Sequence, residues 1–394
     1  MPTEDQLVRA RVDQLLGGGS LCDRDPVEVW GARYDAGLAW VTFPEGCGGL
    51  ALGRHWQAVV DAAVADAGGS LANHERNIVG IFLAAPTLVA HASTELQQQW
   101  LRPIFTAEEI WCQLFSEPGA GSDLAGLATA AVPVEGGWRI NGQKVWTTLA
   151  HQARWGLLLA RTDPDAPKNR GITCFVVDMR SAGVDVRPLF EITGEAEFNE
   201  VYLDDVFVPD SYRLGDVGAG WRVATTTLMN ERVMAAGGVS ERGHGPIAEA
   251  VGAWEVAGRS PLRQDELVRH WVSAEALRLT QMRATELASR GTPGPEASAA
   301  KLRWAELNQT ITSFTTELMG PGGVVYPEGY TFSRPDSSRA HGPGDPHKAF
   351  LRARANSIEG GTSEIMRNIL AQRVLGLPQE KTDRETPWRQ IPRG

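Results

Sequence analysis

Trp111–Thr148 reads WCQLFSEPGAGSDLAGLATAAVPVEGGWRINGQKVWTT. The apolar run from Trp111 to Phe115 predicts a buried strand. It breaks into Ser116-Glu117-Pro118-Gly119-Ala120-Gly121-Ser122-Asp123, where Pro118 has no backbone donor and Gly119 and Gly121 open angles other residues avoid. Such a turn brings main-chain N–H groups and the hydroxyls of Ser116 and Ser122 close to a ligand. A hairpin follows, with Gly136-Gly137 at its tip and Val132, Val134, Trp138 and Ile140 on either side. Its return strand ends at Trp146-Thr147-Thr148, an indole beside two hydroxyls. The stretch has two readings. One is an ordinary Gly-rich turn with a hairpin; the other is a site for a flat aromatic cofactor with a phosphate tail.

On the N-terminal side the pattern is helical. Thr3 to about Leu16 predicts a short amphipathic helix closed by Gly17-Gly18-Gly19. Leu52, Trp56, Val59, Val60, Ala63 and Val64 share one face of another helix. Leu96, Trp100 and Ile104 mark a third, ended near Pro103, and His74 and His91 between them read as packed or solvated. From Trp111 to about Val208 the period is two, with candidate strands at Trp155–Ala160, Ile172–Val177, Val184–Val186 and Glu200–Val208. Sequential hairpins predict a mostly antiparallel sheet, and no GxGxxG joins a strand to a helix, which argues against a Rossmann site. Helices return after Gly218-Ala219-Gly220, and Pro321 to Pro346 is a long loop. The expected organisation is α+β: an N-terminal helical domain (1–110), a small antiparallel β-domain (111–217), a C-terminal four-helix-type bundle (218–378) and a polar, poorly ordered tail (379–394).

Composition narrows the function. With 394 residues the chain can bury a large core. A net charge of −10 and no basic tract disfavour nucleic acid, while a local basic patch could still take CoA. Cys22, Cys47, Cys112 and Cys174 form no CxxC pair, which suits a reducing compartment and argues against a structural zinc. The N-terminus lacks the apolar core of a signal peptide, and no stretch has the apolar length to span a bilayer. A cytoplasmic location is expected.

SEPGAGSD, GWRINGQKVWTT and LLLARTD, with EGGTSEIMRNILAQRVLG near the C-terminus, resemble the two signatures of the acyl-CoA dehydrogenase family of flavoproteins. With the element order, the resemblance runs from about Leu52 to Pro378. It implies the family's plan, a small β-domain between two helical domains, and FAD as cofactor. It also implies that Phe115 and Ser116 meet the isoalloxazine edge, that Gly121 and Ser122 lie near the pyrophosphate, that Trp146 packs on the ring with Thr148 beside it, and that Thr362 and Glu364 open a helix facing the cofactor. N-capping by Thr362 is equally compatible with the sequence. Ser122 and Arg232 fall at substrate-binding positions.

The family removes the α-proton of an acyl-CoA with a carboxylate while the β-hydrogen leaves as hydride to the flavin. Many members carry that base in Tyr-Glu-Gly-Thr-Ser. Here Ile358-Glu359-Gly360-Gly361-Thr362-Ser363 places Gly360 at the base position and Glu359 one residue early. Gly360 still offers a backbone N–H to the thioester carbonyl. A subset of the family carries the base in Leu-x-x-Glu-Arg, which Leu228-Met229-Asn230-Glu231-Arg232 resembles. Independently of that likeness, Trp221, Ala224, Leu228, Glu231 and Ala235 follow the spacing of one helix face. Glu231 is therefore the expected base and Glu359 the alternative; a structural Glu–Arg pair is the bland reading of Glu231.

The family's Arg-x-x-Phe-Gly, which grips FAD across a subunit interface, is replaced by Gly258-Arg259-Ser260-Pro261-Leu262-Arg263. The expected partners are an acyl-CoA, an electron-transfer flavoprotein, and either further copies in a homodimer or homotetramer or a second dehydrogenase-like subunit in a heterotetramer. A flavin oxidase or oxygenase on the same fold, or a non-catalytic partner subunit, are the alternatives.

Overall fold

Local sequence sets the helix ends in the computed structural model, which describes residues 3–17, 19–235, 239–289, 295–333, 345–379 and 385–392, without the side chains of 232–235 and 288–289. Helix α1 (Glu4–Leu16) opens with a capping box between Thr3 and Gln6 and closes on Gly17 at φ 59°. Helices α2 (Pro26–Asp35), α3 (His55–Asp66), α4 (Asn73–Arg76), α5 (Ala85–His91) and α6 (Thr94–Phe105) follow. On α3, Val60 and Val64 are buried, but Val59 is 42% exposed and does not share their face. Helix α6 passes Pro103 and ends close by at Phe105, where the packing of the fully buried Leu101, Ile104 and Phe105 offsets the lost hydrogen bond.

The strands are β1 (Trp111–Leu114), β2 (Ala130–Val134), β3 (Gly137–Lys144), β4 (Trp155–Arg161), β5 (Ile172–Asp178), β6 (Val184–Pro188), β7 (Asn199–Pro209) and β8 (Arg213–Leu214). They form one sheet in the order β6-β7-β3-β2-β4-β5-β8, with β1 also on β4. Pairing is antiparallel except for β1 with β4 and a single β2–β4 partner pair. Strand β4 shows the period of two on a fully buried strand. Trp155, Leu157 and Leu159 join the core shared with α5, α6 and α7 (Gly220–Ala235), whereas Leu158 and Ala160 join the core on the other face. One core thus continues from the N-terminal helices through the sheet to Val223 and Ala224 of α7.

Helices α8 (Pro246–Val256), α9 (Pro261–Ser289) and α10 (Glu296–Leu318) pack around a separate core of Ile247, Leu277, Leu307, Ile311 and Phe314. Helices α11 (Pro346–Ala353) and α12 (Ser363–Ile369) complete the C-terminal part. The expected poor order of the polar C-terminal stretch is not met where that stretch is described. Within 385–392, Trp388 is 9% exposed, donates to the Gly126 carbonyl at 3.1 Å and lies 4.4 Å from the Arg161 guanidinium. The buried indole is the main apolar anchor of a segment that is otherwise mostly polar or proline. Among the described residues no helix is long and apolar enough to cross a membrane, and no group of three His, Cys, Asp or Glu could hold a metal.

Candidate active site

The Gly-rich loop after β1 is fixed at its ends and open in its middle. Glu117 and Ala120 exchange backbone hydrogen bonds of 3.0 Å each. The Glu117 carboxylate accepts from the backbone N–H of Ala128 at 2.6 Å and Thr129 at 2.9 Å, and from Lys144 Nζ at 2.8 Å. Burial alone would raise the Glu117 value, but Lys144 and these donors hold it below the ordinary carboxylate range. Burial pushes the Lys144 ammonium down to about 8 against the attraction of Glu117. Further along, Arg161 donates to the carbonyls of Ala125 at 2.7 Å and Leu127 at 3.2 Å. Between these anchors, a Cβ added at Gly119 or Gly121 would meet nothing within 4 Å, and Ser122 is exposed.

Trp146 stands beside this loop, because Val145 N–H donates to the Ser116 carbonyl at 3.0 Å. The Trp146 backbone is in the left-handed region at φ 60°, a strained choice for an aromatic residue. Its indole is 58% exposed and rests edge-on against Phe198 at 5.8 Å. Thr147 and Asn199 exchange backbone bonds of 3.1 and 3.0 Å that hold the following residues, Thr148 being half-buried. Phe115 is 3% exposed and Ser116 half-buried. An exposed indole on strained backbone, next to an open glycine loop with two hydroxyls, fits a planar ring system carrying a phosphate tail.

Glu231, on α7, lies at the junction of sheet and bundle. Its Oε2 accepts from Gln113 Nε2 at 3.4 Å, on the strand that leads into Phe115 and Ser116. Lys301 of α10, 1% exposed, is a buried cation that feels the charge of Glu231. The Lys301 ammonium donates to the carbonyls of Asn356 at 2.9 Å and Gly361 at 2.6 Å. Burial lowers the Lys301 value, opposed by the negative field of Glu359, Glu231 and Glu364. One buried cation therefore holds the Asn356–Gly361 turn within the electrostatic reach of Glu231. Gly360 and Gly361 adopt φ 62° and 97°, the region that favours glycine. Glu359 has both oxygens engaged, by Arg352 at 2.7 Å and Asn356 at 2.7 Å.

Thr362 caps α12, accepting from Ile365 N–H at 3.1 Å, and Glu364 is exposed beside Arg367. The Arg232 side chain lies outside the described residues. Lys144, Lys301, Arg352 and Glu117 were not singled out in the sequence. A lysine directly before the apolar pair Val145-Trp146 is the one local sign of a buried ion pair.

Helices thus flank an antiparallel-rich sheet that carries this cradle. The family models match along almost the whole chain: the acyl-CoA dehydrogenase N-terminal domain over residues 21–108, the middle domain over 112–206 and the C-terminal domain over 218–375. The chain therefore belongs to the acyl-CoA dehydrogenase family of FAD-dependent oxidoreductases. It is 45% identical over 300 residues to acyl-CoA dehydrogenase FadE34 of Mycobacterium tuberculosis, a match covering 75% of this chain but only 39% of that protein. It is 37% identical over 362 residues to acyl-CoA dehydrogenase IpdE1 of the same organism, covering 89% and 88%. Among solved structures it resembles the ChsE4-ChsE5 complex from M. tuberculosis (TM-score 0.70, 26% identity, 96% and 99% covered). It also resembles the Tcur3481-Tcur3483 steroid ACAD (TM-score 0.71, 25% identity, 95% and 97% covered).

Proposed function

We propose that this chain catalyses α,β-dehydrogenation of an acyl-CoA thioester to the trans-2-enoyl-CoA, with Glu231 as the base. The observation that supports the reading is the contact of Glu231 with Gln113, on the strand that leads into Phe115 and Ser116, with the charge of the buried Lys301 nearby. Phe115, Ser116, Gly121, Ser122, Trp146 and Thr148 would hold FAD on the sheet side, with Thr362 and Glu364 toward its far end. The chemistry supplied by FAD when bound is acceptance of the β-hydrogen as hydride. Ser122 and Arg232 contact the substrate in this reading. The Gly360 N–H hydrogen-bonds the thioester carbonyl and stabilises charge that grows there as the α-proton leaves. Glu231 takes that proton; acyl-CoA entering the site strips water from the carboxylate and makes it more basic. Glu359 is less suited, since Arg352 and Asn356 already occupy both its oxygens.

Electrons then pass to an electron-transfer flavoprotein, in the cytoplasm. The acyl group is bulky, a proposal motivated by the steroid named for one structural relative. The chain pairs with a second dehydrogenase-like subunit, a proposal motivated by a structural relative that is a complex of two proteins, ChsE4-ChsE5. This is supported by the two arginines nearest the replaced motif: Arg259 is engaged by Glu255 at 2.6 Å and Arg263 by Glu317 at 2.8 Å. The test is anaerobic mixing of the flavin-loaded protein with a panel of acyl-CoAs, following loss of the flavin absorbance. Glu231→Gln should retain FAD and slow bleaching at least ~100-fold. Near-parental bleaching in Glu231→Gln, with a dead Glu359→Gln, would move the base to Glu359.

A further inference from the structure

Arg352 of α11 is asked to serve more carboxylates than it can neutralise. Both of its hydrogen bonds run through the same nitrogen, Nη2: to Glu359 at 2.7 Å and to Glu197 at 3.2 Å. Its Nε and Nη1 are buried without a hydrogen-bond partner. Glu197 sits on the segment before β7 with a side chain only 4% exposed, and Glu191 of the same segment adds to the negative field around it. Three carboxylates thus surround one guanidinium. The remaining charges nearby are already committed: Lys348 of α11 is paired with Glu195 at 2.7 Å. The Asn199 amide meets His151 at 3.4 Å.

We propose that Glu197 is a positioning residue: carrying a proton, it leaves Arg352 committed to Glu359 and so fixes the turn that presents Gly360. The physical argument is competition for a single positive charge. With Glu197 neutral, the shorter charge-assisted bond to Glu359 holds the guanidinium. Once Glu197 ionises, a second buried anion pulls on the same nitrogen, and Glu359 loosens together with the residue that follows it. Burial and the neighbouring Glu191 and Glu359 support this by raising Glu197 to about 7, with Arg352 opposing. The sign follows from linkage: between the ordinary glutamate value and about 7 the native state holds a proton that the unfolded chain has released, so stability falls as pH rises through that window. The same network reaches the sheet side of the site, since Arg352 lies 5.6 Å from the Phe198 ring on which Trp146 rests.

The role in catalysis rests on the function proposed above; the proton and the positioning do not, and each is read separately. Thermal melts of the full-length protein from pH 5 to 8.5 compare the parent with Glu197→Gln, which mimics the protonated acid. The parent should lose stability as pH rises from 5 to about 7 while Glu197→Gln gives a flatter curve there; parallel curves would overturn the proton. Hydrogen exchange of the 354–363 segment reads positioning without turnover. Glu197→Ala should speed exchange there by about 10-fold and Glu197→Gln should restore parental protection. Parental protection in Glu197→Ala, or no rescue by glutamine, overturns the positioning role. Where an acyl-CoA bleaches the parent, the rate should fall above about pH 7 and Glu197→Gln should abolish that fall. If no acyl-CoA bleaches the parent, the reading of function fails while the melts and the exchange still decide this one.

Discussion

The buried pair Glu117–Lys144 shows how one residue can govern a whole loop. Lys144 is fully buried, and its ammonium holds both Glu117 and the Phe115 carbonyl, at 2.8 and 3.0 Å. Removing one member strands a charge away from water. Lys144→Met is therefore expected to cost about 3–5 kcal/mol, read as a large drop in melting temperature. Glu117→Gln/Lys144→Met should recover part of that loss, because no lone charge remains. Glu117 also sets an acid limit. Its folded value is depressed, so its contribution is present above the ordinary carboxylate range and disappears as pH falls through the folded value. Acid melts of Glu117→Gln should lack this component. Trp146 acts on the cofactor instead of the fold. Its indole is more exposed than buried, so Trp146→Ala should leave the melting temperature of the apo-protein nearly unchanged and lower FAD content after purification. Full occupancy with an unaltered flavin spectrum would place the ring elsewhere.

At the scale of elements, the loop from Ser116 to Thr129 is held from three sides, and one of them comes from the far end of the chain. Trp388 closes over Arg161, which itself holds the carbonyls of Ala125 and Leu127. Pro167 and Pro387 form a bridge, and Arg389 pairs with Asp165, so 385–392 lies along the 163–167 turn. Trp388→Ala removes the one large apolar anchor of that segment. The expected loss is about 1–3 kcal/mol, smaller than for a central core tryptophan because the site is at the surface and can relax. Limited proteolysis should then cut the C-terminal segment earlier than in the parent. Unchanged protection would assign the anchoring to the Arg389 and backbone contacts. Helix α7 packs by the same logic: Val223 and Ala224 fill the core shared with the sheet, which brings Glu231, two turns later, to the strand carrying Gln113.

For the whole molecule, the outer surface of α9 is the feature that folding of one chain leaves unexplained. Trp271, Ala274 and Leu277 pack inward, while Val268, Val272 and Leu279 are 51%, 62% and 52% exposed. Leu262, at 92%, extends the exposed apolar surface at the start of the helix. A run of this kind on a long helix predicts association with another chain. Val272→Glu with Leu279→Glu should shift the protein to a smaller species in sedimentation without lowering helical content. An unchanged sedimentation coefficient would place the interface on another face. Co-expression with a second dehydrogenase-like chain, followed by flavin content per complex, then separates a homo-oligomer from a mixed one.

What the sequence determined by itself is what depends on neighbours a few residues away. The capping box at Thr3, the glycine stop at Gly17, the hairpin at Gly136 and the alternation along β4 all follow from local sterics and side-chain period. The same holds for the register of Glu231 with Trp221, Ala224 and Leu228, which placed an acid on a largely apolar stripe before any coordinates. The likeness in SEPGAGSD and GWRINGQKVWTT added the cofactor, through family chemistry and not through spacing. Tertiary structure alone decided the rest. Glu117 with Lys144, Lys301 with Gly361, and Glu197 with Arg352 are separated by tens to hundreds of residues, and no local period joins them. Their charges are fixed by burial, which is a property of the packed molecule: a glutamate on a polar segment reads as solvated until the helix bearing Arg352 closes over it. Trp388 was lost to view for the same reason, since a lone tryptophan in a polar stretch has a partner only once Arg161 and Gly126 are brought beneath it.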